Sequence, residues 1–420
     1  MTRTILDVHI LQTVPPSNLN RDDTGSPKTA IYGGVRRARV SSQAWKRATR
    51  QAFAELLDPS ELGVRTKKVA EALAERITAL SPTTEGAEAL ALAADTLIAA
   101  TGAKIEPPRR KANAAKEKAG APDPAPESSY LMFLSSRQLD ALAQLAAEAV
   151  KSGDSKAFLK EKDNRAQARQ LADTRHSVDI ALFGRMVADA TDINVDAAAQ
   201  VAHAISVHAA ETESDYYTAV DDRNSEAEPG AGMIGTVEFN SATLYRYAAL
   251  DVDQLYRNLS KGPVTDESAA TSVRRAVEAF VEGFVASIPT GKINTFGNHT
   301  LPDAVIVKLR SSRPISFVGA FEEPVQAGRS GGHVAAASAR LAAFVPTLER
   351  AYGAESGGGS WVLRVGTDTE QLASLGTEVN LPELVQAVGS AVGAAVAETI
   401  AGTGAATPAA TMAGRTERRG

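Results

Sequence analysis

Hydrophobic and polar positions alternate from the start of the chain. In TILDVHILQTV (4–14), Leu6, Val8 and Ile10 fall on one face and Asp7, His9 and Leu11 on the other, the period of a half-buried strand. Pro15, Pro16, Asn18, Asn20, Asp22, Asp23, Gly25 and Pro27 make residues 15–34 a long loop. The period changes near Ser41, where Trp45, Ala48, Thr49, Ala52, Phe53 and Leu56 recur at helical spacing to face a core, with Lys46, Arg47 and Arg50 on another arc. Residues 64–100 and 135–200 carry stripes such as Leu139, Leu142, Leu145, Ala146 and Ala149 and predict a mostly helical insertion. Between these stretches, residues 101–127 hold five prolines and the basic cluster Arg109, Arg110 and Lys111, a composition that builds no core and predicts a mobile loop.

Beyond residue 200 the period returns to two. In GTVEFNSATLYRYAAL (235–250), Val237, Phe239, Thr243, Tyr245 and Tyr247 alternate with Glu238, Asn240 and Arg246, predicting a strand. Val273, Val277, Phe280, Val281, Phe284 and Val285 mark an amphipathic helix over 267–288, DAVIVKLR (303–310) a strong strand and WVLRVG (361–366) a further one. Strand 4–14, helix 42–57, strands around 216–248, helix 267–288 and strand 303–310 give βαββαβ with a helical insertion after the first helix. That is an α+β chain of the ferredoxin-like arrangement used by RNA-recognition folds. Residues 401–420, rich in Gly, Ala and Thr with Arg415, Arg418 and Arg419, predict a disordered tail.

Composition narrows the chemistry. The absence of cysteine among 420 residues excludes disulfides, thiol nucleophiles and cysteine-based metal sites, and fits a cytoplasmic protein. The N-terminus reaches Asp7 after only Ile5 and Leu6, and the apolar stretch 385–400 is interrupted by Gln386, Gly389, Ser390, Gly393 and Glu398, so neither a signal peptide nor a membrane span is expected. Net charge is −5, yet residues 1–50 hold nine Lys/Arg against Asp7, Asp22 and Asp23. A basic patch on an acidic body selects a polyanion without general stickiness.

Three constellations carry possible chemistry. In LNRDD (19–23), Lys28 and YGGVRRARVSSQAWKRATR (32–50), a helix start offers unpaired backbone N–H groups, with Ser41, Ser42 and Gln43 as added donors. Lys46 and Arg50, four residues apart, project roughly 6 Å apart, near the spacing of single-strand phosphates. Gly33 and Gly34 allow close backbone approach. A capped helix with a solvated basic face uses the same residues. In DYYTAVDD (215–222), Tyr216 and Tyr217 suit stacking on bases at a hairpin tip, or equally a core or edge position. Asp22, Asp23, Asp221 and Asp222 suit Mg²⁺ for phosphodiester cleavage, or turn-forming hydrogen bonds. The histidines His9, His176, His203, His208, His299 and His333 show no metal-ligand spacing, and no P-loop, dinucleotide fingerprint or nucleophile elbow occurs. No cofactor, no resident metal and no catalytic residue are expected.

Together, LNRDD (19–23), Lys28, Ala30-Ile31, YGG (32–34), RVSSQ (39–43), VDIALFGRMVAD (178–189), AHAISVH (202–208), DYYTAVDD (215–222) and TVEFNSATLYRYA (236–248) resemble the CRISPR-associated protein 7 family, in particular the CasC-type backbone subunits of type I-E Cascade. The likeness covers most of residues 1–260 and weakens toward 325. It implies a hand: palm over 1–58 and 237–400, helical fingers over 59–200, a β-hairpin thumb over 201–236 and a tail over 401–420. It implies copies stacked head to tail along CRISPR guide RNA, kinking it periodically and presenting it to target DNA, beside large, small, CasD-type and CasE-type subunits, with no membrane. Carried over by motif, the RNA-binding positions are Arg21, Lys28, Ser41, Gln43, Lys46, Arg47 and Arg50, with Met186, Tyr216 and Tyr217 beside bases. Val35 departs from a basic residue in relatives, a contact Arg36 or Arg37 would replace. Type III relatives of the family suggest the alternative, a metal-dependent ribonuclease using Asp22 or Asp23.

Overall fold

Thirteen residues of mostly apolar alternation build the spine, strand β1 (Ile5–Ser17). The computed structural model describes residues 3–108, 124–187, 191–219, 233–262, 268–328, 332–354 and 357–404. β1 pairs antiparallel with β11 (Met233–Asp251) and with β12 (Ala304–Arg310). The large sheet runs β14 (Thr377–Glu378), β13 (Ser360–Arg364), β12, β1, β11, β9 (Ala204–Ser206), β3 (Val35–Val40) and β2 (Thr29–Tyr32). β8 (Ala199–Val201) also pairs with β11.

β1 is buried on both faces, not half-buried as the alternation predicts. Leu6, Val8 and Ile10 pack under α1 (Ser42–Leu56), α9 (Ala269–Ala286) and α12 (Leu381–Gly404). On the other face Leu11, Ile306 and Phe317 pack with Leu341 and Val345 of α11 (Val334–Tyr352). The polar residues of that face are therefore desolvated, and they pair. Asp7 accepts from Arg310 Nε at 2.7 Å, Tyr247 Oη at 2.8 Å and the Ile315 N–H at 3.1 Å. Glu349 of α11 joins Arg310 at 2.7 Å and Lys308 at 3.0 Å. Burial pushes the Asp7 carboxyl up, opposed by these donors, and holds well below its ordinary value the His9 imidazole, which stacks on Phe317 and bonds the Tyr245 hydroxyl.

Arg246 is the second correction. The alternation of β11 places it with the polar residues, but its guanidinium lies wholly buried on the helix side, 3.7 Å from the Trp45 ring centre and 4.7 Å from that of Phe284. Gln12 Oε1 accepts from Nη1 at 2.6 Å and the Phe284 carbonyl from Nη2. Desolvation lowers it to about 9.

The insertion has its own core. Helices α2 (Val69–Leu80), α3 (Gly86–Thr101), α4 (Ser136–Lys151), α5 (Ser155–Lys160) and α6 (Lys162–Ala172) bury Leu73, Ile77, Leu97, Leu142 and Leu145 together. Ser135 and Gln138 close a capping box that starts α4. Ribbon β4 (Gly63–Thr66) with β7 (Met132–Ser135) ties the insertion to the main body. The ends of the expected loop 101–127 pair as β5 (Ile105–Glu106) and β6 (Glu127–Ser128). Its middle, 109–123, lies outside the described residues, as does 405–420 of the expected tail.

Helix α12 is long and apolar enough, by length and composition, to cross a membrane. Its Leu384, Val388, Val392 and Val396, one per turn, are instead buried in the core with α9.

A further difference concerns the strands after the insertion. The strand beside β11 is the broken pair β8 and β9, inside or next to the stretch read as helical. Three-residue pieces separated by Ala202 and His203 are too short to show a period of two. β10 (Glu213–Ala219) pairs only with the first part of β11, Glu213↔Phe239 to Ala219↔Met233, while β11 from Asn240 onward pairs with β1. One strand thus serves both the sheet and a projecting hairpin, whose residues 220–232 lie outside the described residues.

Candidate nucleic-acid interface

Residues 18–28 form a turn-rich loop held by bonds within itself and by three that tie it to its surroundings. Asn18 Nδ2 donates to the carbonyls of Gly25 at 3.0 Å and Glu238 at 2.8 Å, pinning the loop to the root of the hairpin. Asp22 Oδ1 accepts from Thr24 N, Thr24 Oγ1 and Ser26 N at 2.9, 2.7 and 3.0 Å. These bonds, the Thr24 hydroxyl first, hold its carboxyl below the usual range. Gly291 backs the loop so closely that a Cβ there would sit 2.2 Å from the Leu19 carbonyl oxygen.

Asn20 assembles the cationic part. Its Oδ1 accepts the Ser41 N–H at 2.8 Å and its carbonyl accepts the Lys28 N–H at 2.9 Å, while the Lys28 carbonyl accepts the Arg39 N–H at 2.9 Å. Three chain segments are thereby held at the start of α1. Arg21 is exposed at the rim, joined to Pro27 by one bridge. In the sequence Asn20 stands as a loop former within LNRDD (19–23), and nothing local shows that it clamps residue 41.

Ser41 is the N-cap of α1, its hydroxyl accepting from the Ala44 N–H at 3.3 Å, and Gln43 stands exposed beside it. Lys46 and Arg50 share a face of α1 as expected but differ in commitment. Lys46 lies 5.9 Å from the Phe183 ring centre, and desolvation lowers it from the ordinary lysine value. Arg50 donates from Nε to Asp179 Oδ2 at 2.8 Å and from Nη2 to the Gly63 carbonyl at 2.8 Å, and lies over Phe133. It bolts α1 to the root of the insertion. Arg47 is exposed. Among the described residues, Arg21, Lys28, Lys46 and Arg47 have no carboxylate partner.

The YGG turn joins β2 to β3 and faces the chain's own backbone. A Cβ at Gly33, where φ is +59°, would lie 1.6 Å from the Glu322 carbonyl oxygen. Arg37 is buried and donates to the carbonyls of Tyr32, Ser206, Phe321 and Glu322, so it anchors the ribbon. Arg36 remains exposed, donating to Thr29 Oγ1 at 3.2 Å.

Met186 follows α7 (Val178–Phe183) and is 83% exposed. The buried Arg185 beside it donates to the Ile193 carbonyl and to Gln138, which stiffens this segment. Tyr216 and Tyr217 stand 74% and 45% exposed on β10. Tyr217 lies across Gly235, where a Cβ would meet its ring at 2.4 Å. An aromatic covering a cross-strand glycine is a known way to rigidify a hairpin. No hydrogen bond or ring contact among the described residues joins the tyrosines to the loop cluster.

Asp23 is exposed, and Asp221 and Asp222 lie outside the described residues. Among the described residues, no group of three His, Asp or Glu is placed to hold a metal.

The CT1975-like protein family matches residues 6–387. The chain belongs to this family of CRISPR-associated proteins. Its fold is similar to a chain of a "CRISPR RNA-guided surveillance complex, pre-nicking", at 33% identity and TM-score 0.75, covering 92% of this chain and 100% of that one. A chain of another "CRISPR RNA-guided surveillance complex" is similar at 29% identity and TM-score 0.65, covering 92% of this chain and 99% of that one. No curated protein matches. Like these CRISPR-associated relatives, the CT1975-like chain combines a large sheet with many helices, and the likeness supports a role as a backbone subunit of the CRISPR-associated protein 7 type.

Proposed function

We propose that this chain is the repeated backbone subunit of a type I-E CRISPR RNA-guided surveillance complex. It is a non-catalytic cytoplasmic scaffold that grips guide RNA by its phosphates and leaves sequence to base pairing. The observation that carries this is the Asn20-clamped set of Arg21, Lys28, Ser41 and Gln43, with Lys46 beyond. Its cations Arg21, Lys28 and Lys46 have no carboxylate partner among the described residues and stand with the polar Ser41 and Gln43 around a helix start, on a chain of net charge −5.

The order β12, β1, β11, β9, with α1 and α9 in the crossovers, supports a ferredoxin-like palm. The insertion acts as fingers, and the β10–β11 hairpin as a thumb whose tyrosines reach the RNA of a neighbouring copy. Met186 packs beside a base, and Arg50 supports the contact by fixing α1. Partners are the guide, target DNA through it, further copies of the chain, and the large, small, CasD-type and CasE-type subunits.

Purification from cells co-expressing a repeat-spacer transcript tests this. Nuclease-protected RNA in a particle much larger than 43.9 kDa is expected. With about four to six phosphates per copy, log affinity falls by about three to four per decade of salt. A clean monomer without RNA, or a slope near zero, overturns the proposal.

A further inference from the structure

Arg39 and His203 stand beside the clamped loop and take no part in the set above. Arg39 lies two residues before the Ser41 cap. Its Nε donates to the Thr29 carbonyl at 3.1 Å, and its Nη1 meets His203 Nδ1 at 3.2 Å. A guanidinium has no lone pair to offer, so Nδ1 is the acceptor and the imidazole proton sits on Nε2, which remains a donor. His203 is exposed in the two-residue break between β8 and β9. Burial first, then Arg39 and Lys28, hold the His203 imidazole below its ordinary value, and no carboxylate opposes them. Arg39 Nη2 makes no hydrogen bond among the described residues.

A strut for the β2–β3 ribbon needs only the Nε bond to Thr29. It accounts neither for the free Nη2 nor for a histidine from another segment that takes Nη1 and keeps its own Nε2 as a donor. Arg39 Nη2 and His203 Nε2, donors with no acceptor among the described residues, beside the added charge of Lys28, suit an oxygen-rich anion.

We propose that Arg39, His203 and Lys28 form a seat for a phosphodiester of the guide strand, continuing the track from Arg21 and Ser41. This rests on the guide-binding proposal above.

The test is binding of a labelled single-stranded repeat-spacer RNA to the full chain across salt concentrations. His203→Glu sets a carboxylate against Arg39 without touching the Thr29 bond. About a tenfold loss of affinity and a salt slope smaller by about 0.7 are expected. Arg39→Gln should give the same change, and His203→Gln, which keeps a donor, about a twofold loss. Ala202→Glu adds the same charge one residue away and should cost clearly less. Equal losses for Ala202→Glu and His203→Glu, or a loss with unchanged slope, overturn the seat. If Lys46→Ala weakens binding while His203→Glu and Arg39→Gln do not, the seat falls and the guide-binding proposal stands. If wild type binds no RNA, or no variant including Lys46→Ala changes binding, both fall.

Discussion

Two sets of charges sit on neighbouring parts of the same sheet. Under α11, Asp7, Arg310, Glu349 and Lys308 are buried, and each cation finds a carboxylate within 3.0 Å. Beyond the other end of β1, Arg21, Lys28 and Lys46 stand at the surface or half-buried and find none among the described residues. The first set stabilises the fold only while complete, since a buried charge that loses its partner is costly. The second stabilises nothing by itself, and its charge is available to a partner. Lack of pairing, more than the number of charges, marks the surface that binds.

The largest effect should come from breaking the buried set. Glu349→Ala leaves Lys308 without its carboxylate and Arg310 with Asp7 alone, and should cost about 3 kcal/mol or more in denaturant unfolding. A loss below 1 kcal/mol would show the network to be hydrated. Next comes a buried titratable group in the insertion, His176, whose Nε2 lies 3.8 Å from Asp173 Oδ1. Burial, then Arg185 and Lys261, lower it to about 3. Because its folded value is depressed, its contribution is complete above about 6.5 and is lost as pH falls. Between pH 6.5 and 5 that amounts to about 2 kcal/mol. His176→Gln should flatten this part of the stability profile; an unchanged profile would assign acid lability elsewhere.

The exposed set should respond in binding and not in stability. Lys46→Ala is expected to weaken guide RNA binding about tenfold, without sequence preference, and to reduce the salt slope by about 0.7. Its melting temperature should hold. Asn20→Ala removes the acceptor of the Ser41 N–H and should cost about 1 kcal/mol in stability, with a several-fold loss of RNA affinity because Lys28 and the helix start separate. Unaltered affinity would mean that the clamp does not organise the site. A stability effect under about 0.5 kcal/mol is expected for Tyr217→Ala at its partly exposed position. It should loosen stacking of copies and guide protection while leaving the salt slope intact. Unchanged assembly and protection would remove the thumb role.

Much of the candidate site was legible in the chain. The basic N-terminal fifty residues, the serine cap at 41 and the aromatic pair at 216 and 217 all lie within short windows, where charge and period are visible. Asn20 was not, since its partner is twenty-one residues away across a turn. Gly33 was legible as a glycine that allows close approach. The approaching group turned out to be the Glu322 backbone. Lys46 and Arg50 look equivalent in the sequence, and only the fold places Asp179 and Gly63 against one of them.

The sequence by itself determined the strand at 4–14, the helices at 42–57 and 267–288, the helical insertion and the sign of the charge around residue 40. Each follows from spacing within a few residues, which decides backbone conformation and the side chains that share a face. Tertiary structure alone decided that both faces of β1 are covered, that Arg246 is inside and Arg21 outside, and that Arg39 meets His203. Those outcomes depend on sheet register and helix packing between residues 100 or more apart, which no local pattern encodes.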